Sequence, residues 1–402
     1  MLASSQPAYG FATKPTKLRV LGTHVTLQED LRLRAQKELG LEIEFEPGGS
    51  AAVLHKASTK PESFDLYEQW SNSLNVLWQA RSIQGIETER LSNWSEVNSL
   101  TKTGKLTEKA RIGAGDAPYK LLYAQENGSL SSEESGKISF LPYVHNVDSF
   151  GYNSDVVPKG IPYETESWGW LLDERWHGKV ALVNAPTIGL FDTVLATQAM
   201  GLVEYADIGN LTREEIDKLF EVLIDYRQRG HFRGVWSSVP HSADLMTRGE
   251  VVIQSMFSPG VSMVNGSGMP CIYAAPKEGY RAWHGVMCLS SATEGAVKDA
   301  AYDYMNWWLS GWPGAFIARQ GYYISNPQRS RPLLSNAEWD YWYEGKPAAE
   351  DLRGTDGRVS VKKGQVRTGG SYEQRFSNVA VWNTVMDTYE YSLLRWNDFL
   401  LA

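Results

Sequence analysis

The chain has 402 residues, of which 42% are hydrophobic and 21% are charged. This balance is typical of a globular protein of two or three domains and excludes a disordered or collagen-like chain. Lysine and arginine total 39 against 47 aspartates and glutamates, a formal charge of −8, which disfavours binding to nucleic acid or to an anionic membrane surface. The 15 tryptophans and 20 tyrosines exceed what a core of this size usually needs, so we expect some of these rings to line a ligand site.

The amino-terminal part of the sequence predicts a βαβ unit. Residues 17–21 alternate as a short strand, and residues 41–46 alternate strictly as a second one. Between them, apolar residues recur at every fourth position and Gly40 ends the pattern, which indicates a helix with an apolar face formed by Leu27, Leu31, Ala35 and Leu39. Residues 64–67 follow as a third strand that leads into a loop at residues 68–72. The first domain is therefore predicted to be α/β.

A second α/β domain is predicted after a polar stretch at residues 101–137, which we interpret as a surface excursion. Its best-defined helix begins at the capping box Thr212–Glu215 and ends at Gly230. The other predicted elements, in chain order, are a strand at residues 179–183, a strand at 249–257, a helix at 300–309, a long surface loop at 346–370 and a final helix at 379–401.

The two cysteines, Cys271 and Cys288, are too few for a disulfide framework or a cysteine-based zinc site. Whether they are joined to each other is left open by the sequence. Residues 1–9 have neither a basic nor an apolar segment, and no run of about 18 apolar residues predicts a transmembrane helix. We interpret the small residues at the start as what remains after a signal peptide has been removed.

The common catalytic motifs of metalloproteases, serine hydrolases, phosphate-binding loops and dinucleotide-binding folds do not occur in the sequence. Three histidines, His24, His145 and His284, fall in predicted loops after strands, but no fixed spacing marks them as metal ligands. Tyr322 and Tyr323 raise the alternative of ferric iron, although adjacent tyrosines are more often one buried and one exposed ring. We expect neither a metal nor a cofactor, and the lack of a visible nucleophile and base pair disfavours an enzyme.

Six short segments carry a family resemblance. They are Ile83-Gln84-Gly85-Ile86 to Asn93-Trp94, Leu141-Pro142-Tyr143 to Gly151-Tyr152-Asn153, Ser167-Trp168-Gly169-Trp170-Leu171 to Trp176-His177-Gly178-Lys179-Val180, Arg248-Gly249-Glu250-Val251, Pro276-Lys277-Glu278-Gly279 and Gly321-Tyr322-Tyr323-Ile324-Ser325-Asn326. In this order along residues 18–330, they resemble the periplasmic substrate-binding proteins of ABC importers, in particular the spermidine/putrescine-binding group of the type II class.

The resemblance implies an α/β chain with the two-lobed type II periplasmic binding protein fold, in which the ligand cleft lies between the lobes and closes about a hinge. By this comparison, residues 17–144 form the first part of lobe 1, residues 145–276 form lobe 2, and residues 277–330 form the second part of lobe 1. Residues 331–402 are a carboxyl-terminal extension, with the long loop and the final helix, that the resemblance does not cover.

Loops at the carboxyl ends of strands in open α/β sheets meet at one crevice, so these loops and the two crossing segments supply the candidate ligand contacts. The candidates are Thr23, His24, Trp70, Ser71, His145, Asn146, Asp148, Asn184, Thr187, Arg233, Trp236, Phe257, Trp283, His284 and Tyr323. Five of them have aromatic rings whose faces attract an ammonium or quaternary nitrogen or stack on a sugar; these are Trp70, Trp236, Phe257, Trp283 and Tyr323.

Two differences from the polyamine-binding pattern bear on which solute this chain binds. The polyamine binders that the chain resembles have an acidic residue two positions after the tryptophan of the returning segment, whereas this chain has Gly285 after Trp283. The loop at residues 184–188 is neutral where an acid-rich loop is expected. A doubly charged amine would lack partners to offset its desolvation, so a zwitterion, a betaine or an amino-acid/sugar conjugate fits better.

We therefore predict a non-enzymatic receptor that binds a small polar nitrogen-containing solute and delivers it to an ABC transporter permease in the inner membrane. We expect it to be a periplasmic monomer. One alternative is a polyamine receptor for putrescine or spermidine. Another is a hydrolase or lyase on the same two-lobed fold, with Asp148 or a histidine as the base.

Overall fold

The computed structural model describes residues 15–402, so the amino-terminal start that we interpret as left after signal-peptide removal lies outside the described residues. The strands are β1 (Lys17–Gly22), β2 (Glu42–Pro47), β3 (Leu66–Trp70), β4 (Ile83–Gln84), β5 (Ile86–Glu87), β6 (Ala114–Gly115), β7 (Tyr123–Ala124), β8 (Leu130–Ser131), β9 (Lys137–Ile138), β10 (Leu141–Asn153), β11 (Val180–Val183), β12 (Phe232–Trp236), β13 (Ile253–Met256), β14 (Cys271–Tyr273), β15 (Tyr280–Ser290), β16 (Tyr323–Ile324), β17 (Leu352–Arg353), β18 (Val359–Val361) and β19 (Val379–Trp382).

The helices are α1 (Glu29–Leu39), α2 (Ser50–Thr59), α3 (Leu74–Gln79), α4 (Ser99–Thr103), α5 (Pro186–Ala199), α6 (Arg213–Gln228), α7 (Val239–Thr247), α8 (Ser258–Gly266), α9 (Gly295–Trp308), α10 (Trp312–Ala318), α11 (Pro327–Ser330), α12 (Asn336–Trp342), α13 (Tyr372–Phe376) and α14 (Tyr389–Leu401). None of these described helices is both long enough and apolar enough to span a bilayer. The mixture of helices and strands confirms the predicted α/β class.

The predicted βαβ unit is present at the amino-terminal end of the described chain. β1 pairs in parallel with β2, from Lys17 opposite Glu42 to Gly22 opposite Pro47, and with β3 on its other side. As predicted, α1 ends at Gly40, whose φ of 67° is a left-handed backbone conformation that glycine adopts without strain. Because the three strands are parallel, the loops that follow them lie at one edge of the sheet.

Two long antiparallel strands, β10 and β15, connect the two halves of the molecule. They contain 13 and 11 residues, and every one of these residues is buried. A single sheet runs through them in the order β12-β11-β13-β10-β15-β3-β1-β2, with shorter strands paired at its sides. One hydrophobic cluster packs around β1–β3 and another around β11–β13, so the fold is two α/β lobes joined by the crossing strands.

The second lobe has the same parallel arrangement as the first. β11 pairs in parallel with both β12 and β13, and the helices α5, α7 and α8 each follow one of these strands. The predicted capping box begins α6: the Thr212 side chain accepts a hydrogen bond from the backbone N–H of Glu215, and the Glu215 side chain accepts one from the backbone N–H of Thr212. The loops after β11, β12 and β13 are thus the counterparts of the loops after β1, β2 and β3.

Three predicted elements differ from the structure. The final helix predicted at 379–401 is α14, which begins only at Tyr389, because the alternating residues Val379–Trp382 form β19 and pair in parallel with β15. The stretch 101–137 is more than a surface excursion, since its strands β7, β8 and β9 form a separate four-stranded sheet with β5. The surface loop predicted at 346–370 contains the antiparallel pair β17 and β18.

The carboxyl-terminal residues 331–402 pack against the crossing strands and the second lobe. α14 lies on α5 and α6, and its residues Trp396 and Phe399 belong to the hydrophobic cluster of the second lobe. α12 and α13 pack into an aromatic cluster that also contains Tyr323 and Trp382. This segment is therefore an integral part of the two-lobed body.

The two cysteines are free thiols in different parts of the core. Cys271 on β14 belongs to a hydrophobic cluster of the second lobe, and Cys288 on β15 belongs to the cluster of the first lobe. Both side chains are buried. The possibility of a disulfide between them, which the sequence leaves open, is therefore excluded in this fold.

A buried carboxyl group lies in the core of the first lobe. Glu68 on β3 is fully buried and accepts a hydrogen bond from the Tyr143 hydroxyl at 3.1 Å. Burial raises its pKa from 4.5 to about 7. Since the unfolded chain loses this proton at lower pH than the folded chain does, the contribution of Glu68 to stability falls as the pH rises from 4.5 through about 7.

We expect Glu68→Gln to remove this part of the pH dependence, which amounts to about 3 kcal/mol for a shift of this size. The measurement is urea unfolding of the wild type and the variant at about pH 5 and about pH 8. Glu62→Gln changes an exposed carboxyl group of the same lobe and should leave the pH dependence as it is. A Glu68→Gln variant that keeps the wild-type slope would contradict the assignment of this slope to Glu68.

Candidate functional site

A cavity of about 350 Å³ lies between the two lobes. Most of its wall comes from the loops that follow β1, β2 and β3 in the first lobe and β11, β12 and β13 in the second. The crossing strands provide its floor. The lining residues are Thr23, His24, Val25, Gly48, Gly49, Ser50, Trp70, Asp148, Val183, Asn184, Ala185, Ile188, Trp236, Ser237, Ser238, Val239, Phe257, Pro259, Trp283, Tyr322 and Asn383.

This cavity brings together about half of the predicted contact residues and places the others elsewhere. The predicted residues that line it are Thr23, His24, Trp70, Asp148, Asn184, Trp236, Phe257 and Trp283. The predicted residues outside its lining are Ser71, His145, Asn146, Thr187, Arg233, His284 and Tyr323. Whether a predicted residue lines the cavity depends on the direction in which the local backbone points its side chain.

Aromatic rings form two opposite parts of the wall. In the second lobe, the rings of Trp236 and Phe257 pack edge to face with centroids 5.2 Å apart. On the other side, the Trp283 ring contacts Trp70 at 6.3 Å and Tyr322 at 5.7 Å, both in edge-to-face geometry. Such packing holds the rings in fixed orientations, so the cavity has rigid π-faces on both sides.

Tyr322 takes the place in the wall that was predicted for Tyr323. Successive side chains of an extended segment point to opposite sides, and β16 pairs Tyr323 with His145 of β10. The Tyr323 ring is therefore buried away from the cavity, 4.4 Å from the Tyr372 ring. Since Tyr322 and Tyr323 point in different directions, they do not form a shared iron site.

The two predicted histidines of the crossing strands are buried behind the cavity. The rings of His145 and His284 stack with centroids 4.7 Å apart. His145 Nε2 is 2.7 Å from the Tyr372 hydroxyl, and His284 Nε2 is 2.9 Å from the Thr101 hydroxyl. Burial lowers the pKa of both rings, that of His284 to about 4. They are neutral core residues that hold distant segments together.

The remaining predicted residues outside the lining have other partners. Arg233 points to solvent and forms an ion pair with Glu250 at 2.6 Å. Ser71 is buried in the turn after β3, and the Asn146 amide donates to the backbone carbonyl of Gly321 at 3.4 Å. Thr187 lies in the first turn of α5, where its neighbour Ile188 faces the cavity instead.

A buried charge cluster underlies the cavity floor. Arg281 on β15 is fully buried and donates to Asp192 at 2.7 Å and to Asp148 at 3.3 Å. Asp148 also accepts a hydrogen bond from the Tyr273 hydroxyl and lines the cavity. Burial raises the pKa of Asp148 to about 6, although Arg281 opposes this shift. With both carboxylates ionised, the cluster of one cation and two anions is net negative and favours a cation in the cavity.

Four helices begin at the cavity wall. The residues that precede the first turns of α2, α5, α7 and α8 are Gly49, Ala185, Ser238 and Phe257, and all four line the cavity. The amino-terminal end of a helix carries partial positive charge and free N–H groups. In α7, the Ser238 side chain caps the end by accepting from the backbone N–H of His241. The other three ends have no side-chain cap, so the cavity also suits a negatively charged or oxygen-rich group.

Sequence reasoning missed several residues of this wall. Gly48, Gly49 and Ser50 follow β2 at the same sheet edge as Thr23, so the rule that selected Thr23 would also have found them. No comparable signal marks Asn383, because it follows β19, a strand that forms through pairing with the distant strands β15 and β6. Asn383 reaches the cavity floor and accepts a hydrogen bond from Arg281 at 3.4 Å.

The carboxyl-terminal helix also supports the cavity wall. The indole N–H of Trp396 donates to Oδ1 of Asn184 at 3.0 Å. Its ring lies so close to α5 that a Cβ atom at Gly189 would be 2.7 Å from it, so only glycine fits there. Oδ1 of Asn184 accepts this hydrogen bond, so the Nδ2 group of Asn184 remains to donate a hydrogen bond to a ligand.

The residues near the cavity do not resemble a metal centre. Asp148 and His24 are its only titratable acidic or imidazole residues among those described. Among the described residues, three metal-ligating side chains cluster at one place, which lies elsewhere in the second lobe. The cavity is therefore suited to recognise an organic molecule through rings, amides and one carboxylate.

Comparisons with solved structures agree with this architecture. The spermidine/putrescine ABC transporter substrate-binding protein PotD from Streptococcus pneumoniae has a TM-score of 0.62 and 13% identity, covering 96% of this chain and 99% of its own. AgtB from A. tumefaciens R10, solved with agropinic acid, has a TM-score of 0.60 and 14% identity over 96% and 99% of the two chains. MotA from A. tumefaciens B6, solved with glucopine, has a TM-score of 0.56 and 12% identity over the same shares. At these identities the likeness establishes the fold.

The family of the chain is shown by its sequence. A search of curated protein sequences finds no match. The family model described as bacterial extracellular solute-binding protein matches residues 35–339, which is more than half of the chain. Together with the two-lobed fold and the cavity between its lobes, this match confirms the predicted class of receptor and argues against an enzyme. The chain belongs to the family of bacterial extracellular solute-binding proteins, which serve ABC transporters.

Proposed function

We propose that the cavity binds a small zwitterionic nitrogen compound, such as a betaine or an amino-acid/sugar conjugate. The observation that carries this proposal is the combination of two opposite features in one cavity. Aromatic faces and Asp148 favour a cationic nitrogen, whereas the ends of α2, α5 and α8 favour a carboxylate or hydroxyl groups. A molecule with both kinds of group would use the whole wall.

The same wall offers little to a polyamine. Asp148 is the only acidic residue that lines the cavity among the described residues, whereas a diamine brings two positive charges. Gly285 follows the cavity residue Trp283 closely, and a Cβ atom there would lie 2.7 Å from the backbone oxygen of Val144, so no acidic side chain fits. A second ammonium group would be desolvated without a partner.

The direct test is a thermal-shift screen followed by calorimetric titration. The panel contains glycine betaine, free amino acids, agropinic acid, glucopine, putrescine and spermidine, and the protein is first unfolded and refolded to remove any solute bound during purification. A compound present at 100 times its dissociation constant stabilises the protein by about 2.7 kcal/mol. We expect a betaine, amino acid or conjugate to bind one per chain, and binding of putrescine or spermidine alone would overturn the proposal.

We also propose that the receptor acts as a periplasmic monomer that presents its solute to an inner-membrane permease. The family supports the role in transport, and the cavity is complete within one chain because both lobes contribute to it. Light scattering after size exclusion tests the monomer directly. A stable dimer at micromolar concentration would contradict this part of the proposal.

A substitution in the carboxyl-terminal helix should weaken solute binding. Trp396→Phe keeps most of the buried ring but removes the hydrogen bond to Asn184, so the amide of Asn184 loses its fixed orientation. We expect the dissociation constant of the tightest-binding panel compound to rise about 2- to 12-fold, the effect of one hydrogen bond worth about 0.5–1.5 kcal/mol. The measurement is isothermal titration calorimetry.

The matched control is Trp382→Phe. Trp382 is also buried in the carboxyl-terminal segment, and its indole N–H donates to the backbone oxygen of Ile112, outside the cavity wall. The Trp382→Phe variant should lose about as much free energy of unfolding as Trp396→Phe does, without weakening solute binding. If both variants weaken binding equally, the effect of Trp396→Phe is a general loosening of the fold and the role assigned to its hydrogen bond is wrong.

A further inference from the structure

A group of metal-ligating side chains lies at the edge of the second lobe that is opposite the cavity. Glu174 and His177 belong to a short turn just before β11, and His231 comes directly before β12. Because the cavity lies at the carboxyl ends of these parallel strands, this group lies at their amino ends. It is thus separate from the solute site and plays no part in the proposed function.

The three side chains are close enough to share an ion. Each can provide one ligand atom such that all three atoms lie within 4.8 Å of one another. His177 Nδ1 is 3.5 Å from a carboxylate oxygen of Glu174, and the rings of His177 and His231 have centroids 5.9 Å apart. Zinc–nitrogen and zinc–oxygen bonds of about 2.0–2.2 Å require ligand atoms about 3.3–3.5 Å apart. Small rotations of the two exposed side chains, Glu174 and His177, would bring the ligand atoms to these distances.

His231 is already arranged as a metal-bound histidine would be. It is fully buried, and its Nε2 lies 2.9 Å from the backbone oxygen of Leu171. This hydrogen bond places the proton on Nε2, since a carbonyl only accepts, and leaves the Nδ1 lone pair free. Nδ1 is buried and has no hydrogen-bond partner in the described chain. Metal-bound histidines usually donate their other ring N–H to a carbonyl or carboxylate in this way.

The charges around the group do not oppose a cation. Arg229 lies 2.7 Å from one oxygen of Glu174 and 2.9 Å from Asp225, so two carboxylates offset its positive charge. The other oxygen of Glu174 faces His177.

We propose that Glu174, His177 and His231 form a binding site for a divalent transition-metal ion such as zinc. Two imidazole nitrogens and one carboxylate oxygen are a ligand set that zinc, copper and nickel accept, with water completing the coordination. A bound ion would fasten the turn before β11 to the start of β12 and stabilise this edge of the lobe.

The test uses the untagged full chain, because a polyhistidine tag would itself bind zinc. The protein is freed of metal with a chelator, dialysed and titrated with zinc chloride by calorimetry. We expect one zinc ion per chain and a higher melting temperature with zinc. Cobalt(II) should bind at the same site and give the visible absorption of a tetrahedral complex.

Variants of the exposed ligands distinguish this site from weak surface binding. His177→Ala and Glu174→Gln should each weaken zinc binding about tenfold or more, and neither residue is buried, so the fold should tolerate both changes. The control is His241→Ala, which removes an exposed histidine of the same lobe, and it should bind zinc like the wild type. A titration without a one-site transition, or equal zinc affinity in His177→Ala and the wild type, would overturn the proposal.

Discussion

Replacing Arg281 with methionine is expected to lower the free energy of unfolding by about 3–5 kcal/mol at pH 7. Arg281 is fully buried, and it is the cation that offsets both Asp148 and Asp192. Methionine keeps a side chain of similar length in the core but leaves two carboxylates close together without a counter-charge. The measurement is urea unfolding of both proteins under the same conditions.

The pH dependence of this loss has a definite sign. Without Arg281, burial and mutual repulsion raise the pKa of Asp148 and Asp192 in the folded chain above those of the unfolded chain. The stability of the variant therefore falls as the pH rises through these values, and the gap to the wild type should narrow at about pH 5. Arg248→Met removes an exposed arginine that pairs with Asp244 and should cost less than about 1 kcal/mol. A similar small cost for Arg281→Met would contradict the role given to the cluster.

Asp148→Asn is expected to weaken binding of a cationic or zwitterionic solute by about 10- to 100-fold, since a hydrogen bond to a charged group contributes about 1.5–3 kcal/mol. Asparagine has the shape of aspartate and can still accept from the Tyr273 hydroxyl. What it removes is the negative charge that faces the solute from the cavity floor. The measurement is calorimetric titration of the tightest-binding nitrogen compound of the panel.

The control for this variant is Asp192→Asn. It removes the same charge from the same cluster, but Asp192 is fully buried and does not line the cavity. We expect a much smaller loss of affinity, because only the distant field changes and no contact with the solute is lost. Equal losses in the two variants would show that Asp148 acts only through the overall charge.

The cavity loops could be predicted because strand ends are visible in a sequence. Thr23, Asn184 and Phe257 each follow an apolar or alternating run, and parallel strands bring such positions to one edge. The side that a residue faces could not be predicted in the same way. Whether Tyr322 or Tyr323 lines the cavity depends on the register of β16 against β10, which pairing between distant segments decides.

Buried polar residues are the second reason why the predicted contact residues differ from those that line the cavity. His145 and His284 follow the rule for candidate contacts as well as Asp148 does, but their partners Tyr372 and Thr101 come from segments far along the chain. β19 presents the same difficulty. Its four residues were included in a helical pattern, and pairing with the distant strands β15 and β6 makes them a strand.

The two lobes cannot fold one after the other as the chain is made. The sheet of the first lobe is completed by β15, roughly 260 residues after β1, and the core of the second lobe needs Trp396 and Phe399 near the last residue. Closing such long loops costs chain entropy before the contacts form, so folding should be slow. A nascent chain of this receptor therefore stays without its native topology until almost all of it has been synthesised.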